Sequence, residues 1–232
     1  MATPTPLRYV CKMTFNFKAE LARGLKTLGL EMADAAYEPL EFYFYELKKW
    51  NKKVNLIAKS TGDVEIVEKH FLDSLTLLPF LQDEGAHLLD IGTGGGFPGL
   101  ICKAALGESL KLTLVEPRLK RVSFLRHIVR SIRLDNVDIR ANRLEDEPDL
   151  TQDSFSHITC RAVTEIGAFV EMVAGFSATG AQLICMKGPK WSEELDAAKT
   201  IVESSGFKVG EHVEHVLPQS GAKRTLLFFD KR

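Results

Sequence analysis

From Phe17 the chain settles into an apolar spacing of three and four: Phe17, Leu21, Leu25 and Leu28 fall on one helical face, and Gly29 follows as a stop. The aromatic-rich stretch 33–52 predicts a second helix, in which Phe42, Phe44, Tyr45 and Trp50 read as packing residues in preference to platforms for stacked bases. A third helix is predicted over 63–81, with His70 and Asp73 three residues apart and so on one side. Beyond residue 87 the pattern changes. Short apolar runs at 88–91, 111–116, 137–140, 157–160 and 182–186 predict buried strands, separated by helical stretches over 98–106, 119–132, from 165, and over 192–205. The 119–132 helix buries Val122, Phe124, Leu125, Ile128, Val129 and Ile132. Two last strands, near 209–216 and 224–229, are joined by a turn at 219–223. Strands alternating with helices predict an α/β sheet domain over 83–232, with a helical extension over 17–82 packed against it as one compact unit and a frayed, proline-containing tail over 1–16.

Composition narrows the partners. With Lys+Arg 30 against Asp+Glu 31, the formal net charge is -1, so any nucleic-acid binding must come from local basic patches. Two such patches stand out. KKWNKKVNLIAK, residues 48–59, has five lysines and no acid, and reads either as a solvated helix end or as a phosphate-contacting edge that includes Lys52 and Lys53. Arg118, Lys120, Arg121, Arg126, Arg130 and Arg133 line the other, on and beside the 119–132 helix. Cys11, Cys102, Cys160 and Cys185 have neither C-x-x-C spacing nor histidines in ligand register, which predicts reduced, small apolar residues and no metal; Cys160 and Cys185 fall on strands that could be neighbours, leaving an occasional disulfide open. No apolar leader segment opens the chain and no run of 18 apolar residues occurs, which predicts a cytoplasmic protein without a membrane contact.

The chemistry concentrates at LLDIGTGGGFPG, residues 88–99. A buried strand ends at Asp90 and runs into glycines at 92, 94, 95 and 96, which permit positive φ and close approach of a ligand to the main chain. The dinucleotide fingerprint G-x-G-x-x-G fails, because Phe97 stands at its last glycine. An acid before the loop would repel a pyrophosphate but attract the ammonium group of an amino-acid moiety such as that of S-adenosylmethionine. Glu116 ends the next strand 24 residues after Gly92, the distance at which an acid meets the ribose hydroxyls of an adenosine; a solvated charge is the competing reading.

Five motifs in order, HFLDSL at 70–75, GTGGGFPG at 92–99, NRLED at 142–146, CRAV at 160–163 and MKG at 186–188, make the chain from about residue 47 onward resemble the ribosomal RNA small subunit methyltransferase G family, also called glucose-inhibited division protein B. The resemblance implies a class I S-adenosylmethionine-dependent methyltransferase fold, a Rossmann-like seven-stranded sheet with an antiparallel last strand. It also implies methylation of N7 of a guanine near position 527 of 16S rRNA, with the small ribosomal subunit or its RNA as partner and S-adenosylmethionine as methyl donor. A monomer without metal is expected. Cofactor contacts are expected from Asp90, Gly92, Gly94, Gly96, Phe97, Glu116 and Arg161, with Leu144 and Glu145 bordering the adenine.

Arg161 and Lys187, both at strand ends, are assigned to substrate positioning, with a structural salt bridge the alternative for Arg161; His70, Arg118, Lys120 and Arg121 join Lys52, Lys53 and Lys187 as RNA-binding candidates. His70 and Asp73 read either as a core pair that pins the extension or as residues at the mouth of the site. No general base is assigned, since N7 of guanine carries its own lone pair. Two other classes compete: a nicotinamide-dependent oxidoreductase and a non-catalytic RNA-binding assembly factor.

Overall fold

The computed structural model describes residues 15–147, 149–150, 155–161 and 165–232. Seven strands, β1 His87–Ile91, β2 Lys111–Val115, β3 Val137–Arg140, β4 His157–Arg161, β5 Gln182–Lys187, β6 Phe207–Val216 and β7 Lys223–Lys231, form one sheet in the order 3-2-1-4-5-7-6. The first five are parallel and β7 runs antiparallel to both of its neighbours. The order reverses beside β1, between β2 and β4, and that switch point opens a crevice at the carboxyl ends of β1 and β4.

Residue alternation explains the three layers. Leu88, Ile184, Leu226 and Phe228 pack into one apolar cluster, while their neighbours Leu89, Leu183, Leu227 and Phe229 pack into another. Helices α5 Gly99–Leu106 and α6 Leu119–Ser131 supply Leu100, Ile101, Phe124, Leu125 and Ile128 to the first face, and α7 Ile166–Val173 and α8 Trp191–Ser204 supply Phe169, Val170, Ala198 and Val202 to the second.

The extension joins the first face. It comprises α1 Phe17–Leu28, α2 Tyr37–Asn51, and a third helical stretch made of α3 Asp63–Ile66, a π turn Val67–Leu72 and α4 Asp73–Leu75. Asn16 caps α1 by accepting from Ala19 N, and Gly29 ends it at φ 65°. Of the tail expected over 1–16, Asn16 and Phe15 are thus part of the packing, Phe15 lying 5.3 Å from Phe44, and residues 1–14 lie outside the described ones.

Phe17, Phe44, Phe71, Tyr43 and Phe124 build a continuous aromatic core between extension and sheet. Phe44 and Trp50 pack as expected, but Phe42 and Tyr45 are exposed, because α2 turns only one side toward the sheet. The helix expected over 63–81 is shorter: α-helix stops at Leu75, and Pro79 sits in a separate 3-10 turn, Leu78–Phe80.

The C-terminal hairpin closes on the same stretch. Glu68, buried, accepts from the backbone N–H groups of Gln219 and Ser220, the latter at 2.9 Å. This contact and the aromatic core make extension and sheet share one hydrophobic interior.

Gly24 tests that packing. A Cβ there would lie 2.1 Å from Leu72 Cδ1, and Leu72 is buried. Glycine to alanine inside a helix ordinarily gains about 1 kcal/mol. Here the overpacking penalty of about 1–3 kcal/mol outweighs it. Gly24→Ala is therefore expected to lower the urea midpoint; a raised midpoint would show that α1 can move away from Leu72.

Candidate active site

The residues at the carboxyl edge enclose a cavity of about 990 Å³. The glycine loop and Glu116 line it, together with Arg118 and Arg121 and with His70, Asp73, Arg161, Lys187 and Arg224.

The loop is bent by positive φ at Gly92 (67°), Gly94 (61°) and Gly96 (90°). Of its six amides from Gly92 to Phe97, five point inward. Gly92 N and Thr93 N donate to Val115 O, Gly96 N and Phe97 N donate to Thr93 O, and Gly94 N donates to Glu116 Oε2 at 3.0 Å. These five donors are thus taken up within the protein. What the loop offers is close approach of its main chain, since a Cβ on Gly94 would meet its nearest neighbour, Arg121 Nη1, only at 3.5 Å. A phosphate would have to compete with the carbonyls and the carboxylate that hold these donors.

The placing of Asp90 at the ligand is corrected: its side chain is fully buried and does not belong to the cavity lining. Oδ2 accepts from Thr93 Oγ1 at 2.6 Å and from Gly99 N at 2.8 Å, bracing the loop against the first turn of α5. Burial pushes its carboxyl up to about 6, and the two hydrogen bonds oppose that rise. Gly99 has no side chain because a Cβ would stand 2.8 Å from Asp90 Oδ2. Gly96 likewise serves packing: a Cβ there would lie 2.1 Å from the Tyr43 hydroxyl, and the residue is not among those lining the cavity.

Glu116 stands at the end of β2, buried, with Oε1 accepting from Arg118 N at 2.9 Å and Oε2 from Gly94 N, and with Arg121 Nη1 at 3.4 Å. A carboxylate offers about four acceptor directions. One remains for a donor arriving from the cavity, such as a sugar hydroxyl.

Arg161 makes the salt bridge that was its alternative reading. It lines the crevice, and it is fixed by the extension: Nη1 donates to Lys69 O at 2.6 Å and pairs with Asp73 Oδ2 at 3.4 Å, while Nη2 donates to His70 Nδ1 at 3.0 Å. Its guanidinium lies 5.0 Å from the centre of the Phe97 ring, on which His70 also stacks at 4.8 Å. Burial, reinforced by Arg161, drives the imidazole of His70 down to about 3, so the ring is neutral and Nδ1 is free to accept. His70 and Asp73 both line the cavity and both hold Arg161. Lys187 lines it too, 2.7 Å from Glu194 Oε2.

Other expected residues stand apart. Leu144 is buried in the second apolar cluster and Glu145 is exposed, neither lining the cavity, because the turn after β3 directs Leu144 under the sheet. Lys52, Lys53 and Lys120 are exposed outside the lining, and Lys48 and Lys49 are paired with Asp63 and Glu46. Cys102, Cys160 and Cys185 are free, although Cys160 and Cys185 are cross-strand neighbours; Cys11 lies outside the described residues, as do residues 162–164 of the CRAV motif. Arg224 and His215, which face Asp73 Oδ1 at 3.6 and 3.8 Å, carry no sequence signal, since only hairpin register brings them to the extension. Among the described residues no His, Cys, Asp and Glu cluster could hold a metal ion, and no helix is long and apolar enough to cross a membrane.

The raised carboxyl of Asp90 fixes a sign. A folded state that holds this proton more tightly than the unfolded chain loses stability as pH rises from about 4 to about 6, by roughly 3 kcal/mol for a shift of about two units. Asp90→Asn is expected to remove that slope in urea titrations across this window. Parallel curves for the two proteins would contradict the buried-acid assignment.

Comparison with known proteins agrees with this geometry. A family model described as rRNA small subunit methyltransferase G matches residues 36–223. Ribosomal RNA small subunit methyltransferase G of Desulfotalea psychrophila is 53% identical over 216 residues, covering 93% of this chain and 99% of the relative; that of Syntrophus aciditrophicus is 38% identical over 204 residues, covering 86% and 83%. Among solved structures, a SAM-dependent methyltransferase from Aquifex aeolicus superposes with a TM-score of 0.54 at 22% identity, covering 71% of this chain and 93% of that one. M. jannaschii TYW2 in complex with AdoMet does so with a TM-score of 0.53 at 13% identity, covering 68% and 74%. The fold is that of the class I methyltransferases, and with a match across most of its length the chain belongs to the rRNA small subunit methyltransferase G family.

Proposed function

We propose that this protein transfers a methyl group from S-adenosylmethionine to N7 of a guanine, near position 527, in 16S ribosomal RNA. The observation that carries the donor assignment is the glycine loop with its amides turned inward and a carboxylate at its edge. Such a wall suits a ligand with cationic groups and sugar hydroxyls and disfavours a pyrophosphate, which sets the nicotinamide reading aside.

Bound there, S-adenosylmethionine supplies an electrophilic methyl on a sulfonium. Glu116 accepts from the sugar, and Gly92, Gly94 and Phe97 bound the methionine end. No residue has to remove a proton, because guanine N7 attacks with a lone pair that is free at neutral pH. The chain's contribution is alignment: holding N7, methyl and sulfur in line at near-attack distance. Arg161, locked by Asp73, Lys69 and His70, and Lys187, paired with Glu194, hold the guanine or its flanking phosphates. Both are cations and so position the substrate without stabilising the positively charged purine product. The guanine must be unpaired or flipped out, since its N7 edge lies in the deep major groove of paired RNA. Arg118 and Arg121 at the rim continue the basic surface toward the RNA backbone, with Lys52, Lys53 and Lys120 further out. We further propose that the protein acts as a monomer in the cytoplasm and that the extension and the sheet domain work as one unit.

Base-resolved mapping of N7-methylguanine in 16S rRNA tests this reading. Cells lacking the protein are expected to lose one modification, near position 527; an unchanged map would refute it. Glu116→Ala should weaken binding of the methyl donor by about tenfold or more, the loss of a charge-assisted hydrogen bond, with RNA affinity retained. Equal loss of both affinities would show a folding defect in place of a donor contact.

A further inference from the structure

The extension does more than cover the sheet. Tyr43, fully buried on α2, reaches across to the glycine loop and donates its hydroxyl to Gly95 O at 2.5 Å. Its ring lies nearly parallel to Phe97, 6.1 Å away with 15° between planes, and is held from the other sides by Phe71 and Phe124. The absence of a side chain at Gly96 is matched to the same hydroxyl, since a Cβ would stand 2.1 Å from it. Gly95 and Phe97, the residues Tyr43 touches, both line the cavity. Burial raises the phenol well above its ordinary range, so the group remains a donor at every physiological pH.

We propose that Tyr43 is a positioning residue of the methyl-donor site, latching the glycine loop from the extension through Gly95 O. This rests on the donor assignment made above. The loop's inward amides tie it to β2 and to Glu116, both within the sheet domain. The Tyr43 hydroxyl adds the anchor from the other side, and so fixes how far the loop stands from the cavity. Without it, the Gly94–Gly96 segment, with positive φ at both ends, gains freedom that donor binding must then remove.

Tyr43→Phe keeps the ring and its packing and deletes only the hydrogen bond. Two readouts separate the latch from a general structural role. In the donor-free protein, amide exchange should quicken across residues 93–97 and stay unchanged in α6. In calorimetric titration with S-adenosylmethionine and S-adenosylhomocysteine, Kd should rise about five- to tenfold, the range for one lost buried hydrogen bond, with RNA affinity unchanged. KM for the donor should rise correspondingly while kcat at saturation holds. Tyr45→Phe removes a hydroxyl from the same helix that reaches only Phe15 O, at 3.5 Å and away from the loop, and should match the unaltered protein in loop exchange and donor affinity.

Unchanged loop exchange and donor affinity in Tyr43→Phe would overturn the proposal. So would exchange that quickens equally in the loop and in α6, because that marks general destabilisation. If the unaltered protein bound neither adenosyl ligand, the donor assignment would fail, and loop exchange would still decide whether the latch exists.

Discussion

Everything at this site depends on where the amides of one glycine-rich turn point. Had Gly92 to Phe97 turned its N–H groups outward, the crevice would be an anion cradle and the protein a candidate nucleotide-phosphate binder. Val115 O, Thr93 O and Glu116 Oε2 take up those donors instead. Asp90 completes the arrangement from beneath, with one oxygen shared between Thr93 and the first amide of α5. The turn is therefore a close-packed wall whose amides are largely taken up within the protein, with the Glu116 carboxylate at its edge, and a phosphate finds little there to bind.

The cationic part of the lining has a different origin. It is assembled where three parts of the chain that are far apart in sequence converge on Asp73: Arg161 from β4, Arg224 and His215 from the C-terminal hairpin, and the third helical stretch of the extension. Asp73 offsets part of the charge of two arginines, which lets cations accumulate beside the cavity of a protein whose net charge is -1. The extension is in this sense part of the site. It supplies the anchors for Arg161 on one side and the Tyr43 contact to the loop on the other.

Much of the fold was legible in the sequence, because strand runs and helical stripes are local patterns. The strand, the glycine turn and the acid 24 residues on located the crevice correctly, and the motif order supplied the sheet topology that periodicity cannot give. What escaped depends on tertiary geometry. Asp90 reads as a ligand-facing acid from its place before the loop, and only the packing of α5 shows that it faces Gly99. Gly96 reads as a cofactor contact, and only the approach of α2 shows that its missing side chain makes room for a tyrosine. Leu144 and Glu145 were expected beside the adenine from the resemblance, and neither is among the residues that line the cavity. Arg224 belongs to a hairpin with no motif, and cross-strand register with His215 is what delivers it to Asp73.

The most direct measurement of the central claim is a crystal structure of the protein grown with S-adenosylmethionine. The account predicts density in the crevice between the glycine turn and β2, with the sugar hydroxyls within hydrogen-bond reach of Glu116 and the sulfonium methyl directed toward the Arg161 and Lys187 side. A crevice left empty at saturating donor, or one that takes up a nicotinamide dinucleotide with its pyrophosphate on the glycine turn, would contradict it.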